Sequence, residues 1–291
     1  MIILGIETSC DDTSCAVVAV NKDTIVVLSN VVSSQIKIHK KYNGIVPELA
    51  ARSHLENINF VIDEALCKAN CKIGDIDAVA VTAGPGLIGS LLIGTTTAQA
   101  ISHILKIPIV GVNHIEGHIF ANLLKPQITP TPLDKNLSNW AGVKERGYTN
   151  KIKPPFIALI VSGGHTDLIL VKDWGNYKIL GRTRDDAVGE VFDKIAKFLK
   201  LGYPGGPIID KFASRSSTKK GGPQKINFPR PYMLGSWDFS FSGLKTAVVN
   251  YAHDSRFAIR GSRLSDLCAS FQQSCVDVLI RKAVLACEKF N

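Results

Sequence analysis

The seven cysteines of this 291-residue chain lack any paired C-x-x-C spacing, and their number is odd. That excludes the common structural zinc arrangements and a closed disulfide framework, and it suits a reducing compartment. Cys67 and Cys71 stand one helical turn apart in an amphipathic segment and read as small buried hydrophobes. No unbroken apolar run reaches 18 residues, and the N-terminus enters a strand directly, without a basic region followed by a short apolar one. The expectation is a cytoplasmic protein with no membrane span. Acidic residues are the scarcer charge, 25 Asp+Glu against 34 Lys+Arg, for a net charge of +9. An excess of that sign favours a polyanionic partner such as RNA, or serves solubility alone. Basic residues cluster at Lys37–Lys41, Lys144–Lys153 and Arg215–Lys225, among turn residues that also suit solvated loops.

What is present begins with NHIEGHIF, Asn113 to Phe120. At about 100° per helical residue, His114 and His118 share a face and could hold one metal ion. The alternative is two helical histidines hydrogen-bonded to neighbours. A zinc peptidase needs its glutamate directly after the first histidine, whereas Glu116 comes one place later.

Ile2–Glu7 and Ala16–Val20 are β-branched runs around a polar, acidic turn, residues 8–14, with a further strand at Thr24–Ser33. The turn can bind a metal-chelated phosphate or be a simple connection. Phe156–Val171 repeats the unit: apolar strand, the short turn Ser162–Thr166, apolar strand. Gly163 and Gly164 in that turn either supply φ > 0 or let a ligand approach bare backbone amides. Two matched units predict two similar lobes with the turns facing a nucleotide cleft.

Between them, Leu49, Leu55, Ile58, Val61, Ile62, Ala65 and Leu66 recur at helical spacing, and Ile76–Thr82 is a strand. Gly84–Ser90 is then a glycine-rich loop opening a helix over Leu91–Leu105, phosphate-friendly but matching neither the dinucleotide fingerprint nor the Walker loop. Residues 125–155 read as a surface insertion. Asp185–Lys200 is an amphipathic helix with Asp185 or Asp186 as N-cap and Glu190–Lys194 and Asp193–Lys197 as solvated ion pairs. The loop Gly202–Pro207, followed by Asp210, offers backbone to a base or ribose. Trp237–Asn250 gives an aromatic strand-like stretch and a helix that Ser242 could cap, and Leu264–Phe290 is a long final helix.

ETSCDDTS (7–14), VPELAARSH (46–54), GPGLIGSL (84–91), HIEGH (114–118), VSGGHT (161–166), DDAVGEVFDK (185–194), YPGGP (203–207) and FSFSGLKTAV (239–248), in that order, resemble the TsaD family. These are tRNA N6-adenosine threonylcarbamoyltransferases, formerly called glycoproteases. The resemblance implies an α/β, two-lobed actin/Hsp70/sugar-kinase-like fold with duplicated hairpin-led lobes, here over 1–112 and 113–291. It implies transfer of threonylcarbamoyl from threonylcarbamoyl-AMP to adenosine 37 of tRNAs reading codons that begin with A. His114 and His118 would hold one divalent metal, iron(2+) or alternatively zinc, with no other catalytic group. Val161, Ser162, Gly163, Gly164, His165, Asp193, Gly206 and Asp210 would contact the adenylate. A dimerising paralogue and a small P-loop ATPase would be partner proteins. In the family a glycine-rich segment with a substrate-binding asparagine, and then a metal-binding aspartate, follow the final helix; this sequence ends before both, so the second lobe is expected to be incomplete. Other readings are a non-catalytic paralogue that binds nucleotide or partners, a metallopeptidase, and a small-molecule kinase on the same fold.

Overall fold

The computed structural model describes residues 1–21, 24–124, 152–216, 226–233, 235–254 and 260–290. The chain divides into two compact units, Met1–Ile152 and Lys153–Asn291.

In the first unit β1 (Ile2–Glu7), β2 (Asp12–Asn21) and β3 (Thr24–Ser34) form an antiparallel meander. A short helix α1 (Ile36–His39) leads to α2 (Pro47–Lys68), then β4 (Ala78–Gly84), α3 (Ile88–Leu105), β5 (Ile109–Asn113) and α4 (His114–Ala121). The sheet order is β3-β2-β1-β4-β5, with β4 and β5 joining in parallel. Strand alternation sorts the two faces. Leu4, Ile6, Cys15, Val17, Val79 and Val81 turn toward Ile58, Val61, Ile62, Ala65 and Leu66 of α2 and Ala98 of α3, forming a closed apolar core. The other face carries Gly5, Glu7, Ser14, Ala16, Ala80, Thr82 and Val112. The helical stripe read on α2 is therefore real, except that Leu55 is 64% exposed.

Helix α3 is 18 residues long with a mean hydropathy of 1.2, enough by length and composition to cross a membrane. The sequence shows no unbroken run because Thr95, Thr96, Thr97, Gln99, Ser102 and His103 interrupt it. Here α3 packs on β4 and α2, and the hydroxyls of Thr95 and Thr97 donate to the carbonyls of Leu91 and Ile93.

The second unit repeats the opening: β6 (Phe156–Val161), β7 (Thr166–Asp173) and β8 (Asn176–Arg182) form an antiparallel three-stranded sheet. Helices α5 (Val188–Phe198), α6 (Gly205–Ala213), α7 (Ser242–Asp254) and α8 (Ser262–Phe290) follow. Leu168, Val191, Ile195, Ile209, Phe239, Phe241, Leu244, Leu267 and Phe271 make its core. Both units thus begin with the same three-stranded meander, the duplicated hairpin-led plan. Among the described residues the second sheet has three strands where the first has five.

Several expectations meet the structure differently. The chain divides after residue 152 rather than at 112, because β5 extends the first sheet and α4 packs on β5 and β4. The proposed insertion 125–155 lies mostly outside the described residues. Neither Asp185 nor Asp186 caps α5, whose N-cap is Ala187 with no side-chain bond. Asp185 instead accepts from Phe241 N–H (2.8 Å) and from the hydroxyls of Ser240 (2.5 Å) and Ser242 (2.7 Å). Asp186 lies between Lys194 (2.5 Å) and Lys245 (2.6 Å). Burial raises the pKa of both aspartates, but these bonds outweigh it and hold both below the usual value. Ser242, expected as a cap, is the first residue of α7 and is bonded to Asp185, and the aromatic stretch before it makes one isolated bridge, Phe239 with Thr183.

Candidate functional site

The histidine pair is positioned by its N-cap. Asn113 ends β5, and its Oδ1 accepts from the backbone N–H of Ile115 (2.9 Å) and Glu116 (3.3 Å), so α4 begins at His114. One turn later His118 Nε2 lies 3.1 Å from His114 Nε2. Metal–nitrogen bonds are about 2.0–2.1 Å, so one ion can span two nitrogens at this separation. A hydrogen bond between the two rings is the alternative use of the same atoms.

The other nitrogen of His114 decides which form it presents. Nδ1 lies 3.2 Å from Glu7 Oε2 and 3.1 Å from Ser9 Oγ. Glu7 is half-buried, and its partial burial raises its pKa, yet bonds from His114, Ser9 and Thr82 outweigh burial and set it at about 2. A carboxylate only accepts, so Nδ1 carries the proton and Nε2 turns its lone pair toward His118. A carboxylate behind a ligating imidazole is the usual support of a metal-binding histidine. Among the described residues no group of three or more His, Cys, Asp or Glu could hold a metal ion. The pair borders a concavity of about 430 Å³ on the sheet face opposite α2 and α3. Gly117, between the histidines, lines it, and a Cβ there would meet nothing within 4 Å. A mid-helix glycine costs about 1 kcal/mol relative to alanine, and no contact among the described residues requires this one.

The turn that delivers Glu7 and Ser9 is locked from two sides. His54, fully buried on α2, donates from Nε2 to Cys10 O (3.1 Å) and accepts at Nδ1 from Thr13 Oγ1 (2.8 Å); burial keeps its pKa low. Thr8 Oγ1 donates to Ser90 O (2.8 Å), and Leu87 N–H donates to Ser9 O (2.8 Å). A Cβ on Gly86 would stand 2.6 Å from Ser9 O, and one on Gly94 2.3 Å from Thr8 Oγ1. Gly86 in the loop ahead of α3 and Gly94 within α3 are thus required by close packing on residues 8–9.

In the second unit the turn between β6 and β7 closes through Ser162 N–H to His165 O (2.9 Å), and Ser162 Oγ accepts from His165 N–H (3.0 Å) and Gly164 N–H (3.3 Å). The start of α5 sits directly beneath: Gly189 N–H donates to Ser162 O (3.2 Å), and a Cβ on Gly189 would lie 2.4 Å from that oxygen. Asp193, one turn along, accepts from Gly205 N–H at the start of α6 (2.6 Å). Glu190 and Lys194 do pair, at 2.9 Å. Asp210, exposed one turn into α6, accepts from Gln272 Nε2 on α8 (2.8 Å). These contacts bring Ser162–His165, Asp193, Gly206 and Asp210 onto one continuous part of the unit, with Val161, 46% exposed, leading into the turn.

Two classes of glycine separate here. Gly189 and Gly205 are required by contact, since a Cβ would meet backbone at 2.4 Å in each case. Gly163, Gly164 and Gly206 have open space where a Cβ would be and none adopts a left-handed φ. Among the described residues of their own unit nothing calls for glycine at those three positions. Sequence reasoning on chemistry alone missed Glu7 and Ser9 as supports of His114; the one signal was a carboxylate closing an otherwise apolar strand.

The family model for TsaD, tRNA N6-adenosine threonylcarbamoyltransferase, matches residues 26–133 and 138–291. The chain belongs to this family. A tRNA N6-adenosine threonylcarbamoyltransferase of Clostridioides difficile (strain 630) is 49% identical over 287 residues, 98% of this chain and 76% of that protein. Its counterpart in Caldicellulosiruptor saccharolyticus is 47% identical over 98% of this chain and 75% of its own. Among solved structures, YeaZ from Pseudomonas aeruginosa aligns over 61% of this chain and 63% of its own at 14% identity and a TM-score of 0.35. The Aquifex aeolicus PPX-GPPA enzyme aligns over 96% and 93% at 9% identity and a TM-score of 0.39. TsaD members are transferases of tRNA modification, the enzyme class to which this chain belongs.

Proposed function

We propose that the chain transfers threonylcarbamoyl from threonylcarbamoyl-AMP to N6 of adenosine 37 in tRNAs reading codons that begin with A, working in the cytoplasm. The observation that carries this reading is the set Gly163, Gly164 and Gly206, glycines that internal packing and backbone conformation leave unexplained. Bare backbone at a turn and at a helix start is what an adenylate needs in order to approach amide donors. Val161, Ser162, His165, Asp193 and Asp210 surround those positions and would fix the intermediate, Asp193 through its hold on Gly205. In the reaction the N6 nitrogen attacks the carbamoyl carbon, the bond from that carbon to the phosphate oxygen breaks, AMP leaves, and N6 gives up one proton.

His114 and His118 would hold a divalent metal, iron(2+) first and zinc second, a set of imidazole donors that suits both. When bound, such an ion supplies Lewis-acid polarisation of a carbonyl. Glu7 and Ser9 orient His114 for it.

The dimerising paralogue would dock on the first unit. Phe60 on α2 is 73% exposed, and Ile88, Leu92 and Ile104 on α3 are 86%, 61% and 75% exposed. The two helices pack together, and exposed apolar side chains on both are of the kind that mark a protein interface. A small P-loop ATPase is the further partner. All seven cysteines are unpaired, in keeping with a reducing cytoplasm.

The test is transfer of labelled threonine onto unmodified tRNA with the adenylate-forming enzyme, both partners and metal supplied. Label that depends on this chain supports the reading. Label equal to that of a reaction lacking the chain overturns it.

A further inference from the structure

The second unit holds a pocket of about 250 Å³ between the C-terminal half of α8 and the stretch before α7 that carries Tyr232 and Trp237. It touches none of the residues assigned above. Its charged lining consists of Arg281, Lys282 and Lys289, with no Asp or Glu. Positions 281, 285 and 289 recur every four residues, so one face of α8 presents the two outer cations. Aromatic rings hold those cations: the Arg281 guanidinium is 4.4 Å from the Tyr232 ring centre, and Lys289 Nζ is 5.7 Å from Trp237 and 5.9 Å from Phe290. Lys282, only 3% exposed, donates to the carbonyls of Ser236 (2.8 Å) and Asp238. The Asp238 carboxylate is engaged elsewhere, by Arg184 (2.8 Å) and the Arg182 N–H (3.0 Å). None of the three pocket cations forms a salt bridge among the described residues.

Two exposed cations on one face of α8 beside a small concavity repel one another until an anion joins them. The donor set on the exposed side, the Arg281 guanidinium fork with the Lys289 ammonium, is the chemistry of phosphate recognition, while Lys282 is committed to the Ser236 and Asp238 carbonyls. The cation–π contacts fix side chains that would otherwise lose conformational freedom on binding. We propose that this pocket binds a backbone phosphate of the tRNA substrate, positioning the strand without reading its sequence. The proposal rests on tRNA being the substrate.

The test uses the full chain and compares wild type with the double variant Arg281→Gln/Lys289→Gln, both exposed positions, and with the charge-preserving Arg281→Lys. Affinity for unmodified tRNA is measured across a salt series, with inorganic pyrophosphate as a second ligand and circular dichroism as the fold control. The double variant is expected to bind tRNA on the order of 10-fold more weakly, with a log–log salt slope shallower by about 1 to 2, while Arg281→Lys keeps most of the slope. Wild-type affinity and slope in the double variant would overturn the pocket assignment and leave tRNA as substrate standing. Loss of pyrophosphate binding with unchanged tRNA binding would mean a small phosphorylated ligand and overturn the RNA assignment. Failure of the wild-type chain to bind tRNA at all would overturn both.

Discussion

Alanine at Gly189 and alanine at Gly163 should have opposite consequences, although both glycines lie at the same turn. At 189 the added Cβ would stand 2.4 Å from Ser162 O, 2.7 Å from its carbonyl carbon and 2.9 Å from Gly163 Cα. Ordinary contact begins near 3.4 Å, so the turn must move by about 1 Å from α5, and the 3.2 Å bond from Gly189 N–H to Ser162 O goes with it. Overpacking of this kind costs about 1–3 kcal/mol and the lost bond about 1, against a helix-propensity gain of up to about 1. The net expectation for Gly189→Ala is a loss of about 1–3 kcal/mol in urea unfolding. At 163 the Cβ meets nothing within 4 Å and φ is not left-handed, so stability should stay within about 0.5 kcal/mol of wild type or rise slightly. Binding of threonylcarbamoyl-AMP, measured by calorimetry, should nevertheless fall for Gly163→Ala on the order of 10-fold or more, because the methyl would stand where the proposed site places the ligand. Gly189→Ala unfolding at the wild-type midpoint would refute the packing argument. Wild-type adenylate binding by Gly163→Ala would refute the assignment of the open glycines.

The remaining predictions use other parts of the molecule. His54→Ala removes a fully buried ring and strands the Cys10 carbonyl and the Thr13 hydroxyl, and should cost about 2–4 kcal/mol in urea unfolding. Because burial depresses the His54 pKa in the folded state, the unfolded chain binds more protons once the pH drops below about 6.5; wild type should lose stability there, and His54→Gln should lose less. Asp186 has the carboxylate sign: its pKa is depressed on folding, so the stability it contributes is complete above about pH 5 and is lost as the pH falls through its folded value, a slope that Asp186→Asn should flatten in acid titrations followed by circular dichroism. Phe60→Ser with Ile104→Ser should weaken binding to the proposed dimerising paralogue by 10-fold or more in calorimetry, with little change in unfolding midpoint because both side chains are exposed.

Much of this architecture could be read from the chain, for local reasons. The β-branched runs of residues 2–7 and 156–161, each followed by a polar turn and a second apolar run, specify antiparallel hairpins, and the 3.6-residue recurrence over 264–290 specifies α8. The His114–His118 spacing was legible because Asn113 caps the helix locally. Failures arose where distant residues decide. Asp185 and Asp186 sit where caps belong, yet Ser240–Ser242, Lys194 and Lys245 hold them more firmly than the helix start could. The unit boundary shifted because the pairing of β5 with β4, residues 79–84 with 109–113, leaves no mark on composition. Glu7 and Ser9 support His114 from more than 100 positions away. Nor can sequence separate Gly189, required by contact, from Gly163, where a Cβ would meet open space.

The most direct measurement is metal content and transfer together: wild type, His114→Ala and His118→Ala are purified in parallel, their bound metal is quantified by mass spectrometry, and each is assayed for labelled threonine on unmodified tRNA with the pathway partners present. The account predicts about one divalent ion per wild-type chain, near-complete loss in either variant, and loss of label in step with metal. Full metal and full label in His114→Ala would contradict it.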